Sequence, residues 1–163
     1  MDTDYLNNKI EGKSIPKWTR CHDNTARMMS KVADRKSYLI YEKIAFYNFF
    51  QKSVGESPRS KKFITDELIQ DSRDALKDAL SILKPELVIA WGCGNLKKKW
   101  LPQSKIDINT NSKDISLFKI KDYYDVPFWC MRHPSCFFSV NKHRQIFKKI
   151  VDFLFSKRSE FYY

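Results

Sequence analysis

Residues 86–95 read Glu86-Leu87-Val88-Ile89-Ala90-Trp91-Gly92-Cys93-Gly94-Asn95. The apolar run is too short for a helix and is stopped by glycines. That is the pattern of a strand buried on both faces and ended by a tight turn. Just upstream, Thr65 precedes Asp66 and Glu67, an N-cap followed by acids where the helix dipole favours them. An inward stripe of Leu68, Ile69, Ser72, Leu76, Ala79, Leu80 and Leu83 recurs at helical spacing, and Lys84-Pro85 ends it. Just downstream, Asn95 opens a second predicted helix that includes Lys97, Lys98 and Lys99.

Farther out, Val126–Met131 is a second buried strand running into Arg132-His133-Pro134-Ser135. The segment from Asn141 to Phe155 places Ile146, Phe147, Ile150, Val151 and Leu154 on one helical face. Toward the amino end, Lys43–Phe49 is apolar at nearly every position and reads as a strand covered on both faces. Residues 51–62, with Gly55, Ser57, Pro58 and several basic side chains, form a surface loop. Asp23 or Asn24 caps a helix carrying Met28, Met29 and Val32, whereas residues 1–19 are irregular and 102–124 show no clear period. Alternation of strand and helix predicts an α/β fold whose sheet is mostly parallel, within one domain spanning residues 1–163.

Thirty Lys and Arg against nineteen Asp and Glu give a formal charge of +11, which favours a polyanionic partner through counterion release. A basic but merely solvated surface satisfies the same arithmetic. The hydrophobic share of 42% supports a packed core rather than a disordered chain. The longest apolar run cannot cross a bilayer and no signal peptide is present, so an intracellular protein without a membrane partner is expected. Cys21, Cys93, Cys130 and Cys136 form no Cys-x-x-Cys pair and are read as free thiols. Cys130, His133 and Cys136 suggest a metal cluster only superficially, because a closed zinc site needs a fourth ligand. Neither metal nor cofactor is expected.

Parallel sheets collect ligands where loops leave the carboxyl ends of strands. Three polar features fall at such predicted ends: Asn48, the Trp91-to-Asn95 turn, and Arg132-His133-Pro134-Ser135. An Asn amide offers a donor and an acceptor side by side, matching a base edge, though it also serves to tie two strand ends together. Gly92 and Gly94 admit a phosphate or let a helix start close to the sheet, but no dinucleotide or P-loop fingerprint is matched. A neutral His donates to an oxygen on which negative charge develops, and the following Ser meets a phosphate. A loop His bonded to a backbone carbonyl is the structural alternative.

Taken in order, Ile44–Asn48, Phe63-Ile64-Thr65-Asp66, Leu87–Gly92 with its following lysines, and His133-Pro134-Ser135 resemble the uracil-DNA glycosylase superfamily. The resemblance covers about residues 43–155 and is nearest to compact members with an Ala-Phe-Tyr-Asn-Phe strand. It implies a three-layer α-β-α fold. It further implies that Asn48 reads the base, His133 stabilises the departing uracil anion, and Ser135 holds a backbone phosphate. By the same resemblance Phe137 and Phe138 wedge into the stack in place of a flipped base. Lys97, Lys98 and Lys99 would grip the strand.

The family's earlier strand, ending in a Gly-x-Asp-Pro-Tyr or Gly-Glu-Ser-His type motif, has no counterpart in residues 1–40. Those residues are therefore expected to be divergent or shortened relative to the family. The motif's polar group orients the attacking water, so its absence would slow glycosidic hydrolysis while electrostatic stabilisation leaves a residue of activity. Three functions are expected in consequence: uracil-DNA-glycosylase-like base excision, nucleic-acid or nucleotide binding without excision, and a domain kept for protein contacts. The expected partner is DNA, single-stranded or base-flipped, with a second copy joined through an exposed sheet edge as a further expectation.

Overall fold

The computed structural model describes residues 7, 8, 10–14, 19–30, 37–51, 64–92, 96–135 and 137–159. In chain order the elements are α1 (Arg20–Ser30), a 3₁₀ segment (Ser37–Glu42), α2 (Asp66–Leu83), β1 (Val88–Trp91) and a π-type turn (Leu96–Trp100). Then come β2 (Lys105–Ile108), β3 (Leu117–Ile120), β4 (Phe128–Met131) and α3 (Val140–Ser159). They fall into two compact units. One comprises Met1–Phe46, Thr110–Ile115 and Arg132–Tyr163; the other comprises Tyr47–Asn109 and Ser116–Met131.

The second unit holds a four-stranded sheet in the order β1-β4-β3-β2. β1 pairs parallel to β4, with Val88 opposite Phe128 and Trp91 opposite Met131. β3 is antiparallel to both β4 and β2. The sheet is therefore mixed, and the expected mostly parallel sheet is corrected. The cause is the stretch 102–124, where sequence periodicity gave no reading. It folds into β2 and β3, and links as short as 109–116 and 121–127 join only antiparallel neighbours. The parallel step from β1 to β4 is thus bridged by a turn and a strand pair, not by one helix.

Packing is dictated by the strand period. Phe118 and Phe128 sit opposite each other, their rings stacked with centroids 5.5 Å apart. Both are essentially solvent-free and share a core with Leu76 and Leu80 of α2, Leu101, Ile120 and Val126. The alternate positions Leu117, Trp129 and Met131 are buried as well, so β4 is enclosed on both faces. α2 begins as the sequence predicts: Thr65 Oγ1 accepts from the Leu68 N–H at 3.1 Å. It ends at Lys84, whose backbone is left-handed (φ 44°) and whose N–H donates to the Leu80 carbonyl at 2.9 Å. Of the predicted inward stripe, Ser72, Leu76 and Leu80 are buried while Leu83 at the exit is exposed.

The predicted strand at Lys43–Phe49 is not formed: residues 44–48 have no regular structure. Its aromatics find separate partners instead of a ladder. Phe46 lies edge-on to His22, whereas Phe49 and Phe50 gather at Trp100. The unit boundary falls within this stretch, between Phe46 and Tyr47.

In the first unit, α1 buries Ala26, Met28 and Met29 and packs with the 3₁₀ segment and with α3. Tyr41 donates its hydroxyl proton to the His22 carbonyl at 2.7 Å. α1 starts before the predicted cap residues Asp23 and Asn24, which lie inside it; Val32 is outside the described residues. No described helix is long and apolar enough to cross a membrane.

Truncating the core pair tests this packing. Phe118→Ala should lower the unfolding free energy by about 3–5 kcal/mol, read from urea unfolding. Lys84→Gly should raise it by about 1 kcal/mol, because glycine occupies the left-handed cap without the Cβ clash.

Candidate nucleic-acid interface

β4 is enclosed on both faces, and the chain leaving it enters the sequence Arg132-His133-Pro134-Ser135. Pro134 is among the most deeply buried residues, and its carbonyl accepts from the Asn24 side-chain amide at 2.7 Å. The Arg132–Ser135 turn is thereby pinned to the middle of α1. His133 stays at the surface, and Ser135 is half-buried.

The His133 ring carries the chemistry of this turn. Its Nδ1 lies 2.8 Å from Ser135 Oγ and 3.3 Å from the Ser135 backbone nitrogen. A backbone N–H only donates, so Nδ1 is the acceptor and the proton of the neutral ring sits on Nε2. Desolvation by neighbouring protein atoms holds the imidazole below its ordinary pKa, which keeps the ring neutral at physiological pH. A neutral His with Nε2–H as its donor is the form that stabilises a developing oxyanion without first giving up a charge.

After the turn, Phe137 adopts a left-handed backbone (φ 46°) and is 95% exposed. A single exposed aromatic is ordinary on a protein surface, and here it leaves the ring open to solvent. Phe138 behaves differently. It stacks on His143 with centroids 4.0 Å apart and planes 19° from parallel. His143 Nδ1 lies 2.8 Å from the Ser139 carbonyl, which only accepts, so that nitrogen is the donor. Ser139 Oγ also accepts from the Lys142 N–H at 3.3 Å, capping α3. Of the two aromatics predicted to act together, only Phe137 projects.

The other predicted site residues belong to the second unit. Asn48 is exposed, lies in irregular backbone rather than at a strand end, and its carbonyl accepts from the Gln51 side chain. Lys97 and Lys98 lie in the π-type turn and are described in backbone only. Lys99 is exposed, and its carbonyl accepts from Arg73 at 3.3 Å. Arg73 also donates to the Trp100 carbonyl at 2.6 Å, so the lysine turn is fastened to α2. Gly92 takes φ +84° after β1, while its N–H extends the ladder to the Met131 carbonyl at 3.0 Å. Cys93, Gly94, Asn95 and Cys136 lie outside the described residues. Among those described, no three His, Cys, Asp or Glu side chains gather as metal ligands.

Sequence reasoning missed Asn24, Arg144 and His143. Asn24 looked like a helix cap, yet its amide holds the turn; nothing local signals a partner 110 residues away. Arg144 joins the same region by donating to the Arg27 carbonyl at 2.7 Å and to Asn141 at 3.0 Å. His143 comes after Phe138 across a helix start, a spacing with no distinctive sequence signature. Comparison with protein-family models, curated proteins and solved structures gives no match for this chain.

The lowered imidazole pKa has a pH consequence of definite sign. Unfolded His133 titrates near about pH 6.5. Its contribution to stability is complete above that value, and is lost as pH falls through the lower folded pKa. Between pH 7 and pH 5 the wild type should therefore lose more stability than His133→Gln. Parallel urea-midpoint profiles for the two proteins would remove the proposed neutral-ring preference.

Proposed function

We propose that this chain is a uracil-DNA-glycosylase-like protein that binds a single-stranded or base-flipped DNA segment, with His133 as the group facing the base. The observation that carries this reading is the hydrogen bonding around His133. Nδ1 accepts from Ser135, which orients a neutral imidazole with its proton on Nε2. Such a donor suits a uracil carbonyl and, if the glycosidic bond breaks, the uracil anion. The excess of basic residues supplies the salt-sensitive hold on phosphates.

In this reading the Ser135 hydroxyl turns from His133 to a phosphate when DNA binds. Phe137, already projecting, fills the gap left by the flipped base, while Phe138 supports the wedge from its stack on His143. Lys97, Lys98 and Lys99 contact the backbone of the strand. The reading also expects a three-layer α-β-α arrangement. Binding is the primary activity and excision the secondary one, because the family's water-orienting motif is absent from residues 1–40.

The test uses labelled single-stranded oligonucleotides carrying one uracil, one thymine or one abasic site. Wild type should prefer the uracil strand over the abasic one, and His133→Ala should reduce that preference about five- to tenfold, the worth of one hydrogen bond. Uracil release, monitored on the same oligonucleotide, should be slow and should vanish in His133→Ala. Equal affinity for all three oligonucleotides would overturn the base-reading assignment even if salt-sensitive binding persisted.

A further inference from the structure

α3 is amphipathic in a way that the proposed base reading does not use. Phe147 and Ile150 are buried on one side, while Lys142, Gln145, Lys148, Lys149 and Asp152 are exposed on the other. Lys142 and Lys149 are seven residues apart, hence on the same flank and about 10.5 Å apart along the axis. Between β2 and β3 the chain contributes Asp114, a carboxylate from the same unit, to that flank. Lys149 Nζ bonds Asp114 at 2.8 Å, with both side chains more than half exposed. Lys149, and more weakly Lys142, hold the Asp114 carboxyl below its ordinary range.

An exposed ion pair of this kind is worth little in water. It does show that the flank already accommodates an anion with lysines around it. A nucleic-acid phosphate offers the same charge, and a polymer of phosphates also releases the counterions condensed on its strand. The projecting Phe137 lies just ahead of α3 in the chain and offers a face on which an unstacked base rests. Charge on a helix flank beside an exposed ring fits a single strand better than a duplex, whose bases stay stacked.

We propose that the exposed flank of α3, centred on Lys142 and Lys149, tracks the phosphates of a single-stranded nucleic acid, and that Asp114 is the internal anion which the strand displaces. This deepens the reading of the His-Pro-Ser turn as a DNA site, adding a base-independent track that continues from it.

The experiment is fluorescence anisotropy with a labelled oligothymidylate at graded salt concentrations, on the full chain. The double variant Lys142→Gln/Lys149→Gln should lower the salt slope by about 1.4, two single-strand phosphate contacts. Asp114→Asn should tighten binding by about two- to fivefold, the equivalent of one surface ion pair released. Thermal melting by circular dichroism checks that each exposed substitution leaves the fold intact, and Lys142→Gln alone provides a milder variant. An unchanged slope in the double variant, or weaker binding by Asp114→Asn, would overturn the proposal. So would binding to phosphatidylserine vesicles that exceeds binding to the oligonucleotide and is lost in the double variant. Failure here is separable from failure of the base reading: loss of the slope effect with uracil preference retained removes only the α3 track. Uracil preference absent while the slope effect persists removes only the base reading.

Discussion

Strand β4 is the constraint on which the sheet depends. It pairs parallel with β1 on one side and antiparallel with β3 on the other, and both of its faces are buried. Every N–H and C=O of a strand in that position must find a partner, because water cannot reach it. The ladder is accordingly carried past the formal strand ends, from Val88 N–H to the Pro127 carbonyl and from Gly92 N–H to the Met131 carbonyl. A strand so constrained has little freedom to slip, since a shift by one residue would exchange Phe128 and Trp129 between faces. The chain therefore leaves β4 at a defined point, and the residues after it form a turn rather than a longer strand. Pro134 cannot donate to a ladder and helps end the pairing there.

The turn that leaves β4 is held by the burial of Pro134 together with polar contacts. The Asn24 amide bonds the Pro134 carbonyl and His133 bonds Ser135, both within the first unit. Each such bond contributes about 1 kcal/mol, much less than a buried aromatic such as Phe118. The two kinds of interaction divide the work. Apolar burial gives the second unit its sheet, whereas directional bonds set which nitrogen of His133 carries the proton.

The legible parts of the fold were those with strong local punctuation. Thr65 with its acids, Lys84-Pro85, the Val88–Gly92 run and the final amphipathic helix all carry their own start or stop signals. β2 was not legible because Lys105-Ile106-Asp107-Ile108 is short and half charged, and β3, Leu117–Ile120, is only four residues long within the same polar stretch. Lys43–Phe49 misled for the opposite reason. Its apolar density matched a buried strand, but aromatic side chains satisfy themselves one by one, and no neighbouring backbone supplied a ladder. At the candidate site, His133, Ser135 and Phe137 stand out in the sequence because they are nearly consecutive. Asn24 was not, because its role exists only once α1 and the turn are folded together.

The same distinction bears on how the basic residues act. A net charge of +11 is a property of the whole chain, yet a phosphate responds only to charges within about a Debye length, roughly 8–10 Å. Lys13 is paired with Glu11, Arg27 with Asp23, Lys119 with Asp125 and Lys149 with Asp114. Each pair cancels most of its own far field, so the long-range attraction comes from the remaining cations. The paired lysines matter at contact, where a phosphate competes with a carboxylate for one ammonium group. Net charge alone would act on a polyanion without direction, whereas the placement of the acids would decide where on the surface one could rest. Among the described residues of α3 the acid is Asp152, whereas Asp114, which pairs with Lys149, comes from the loop between β2 and β3. A carboxylate on a separate segment can move aside without disturbing the helix, which is what an exchangeable anion requires.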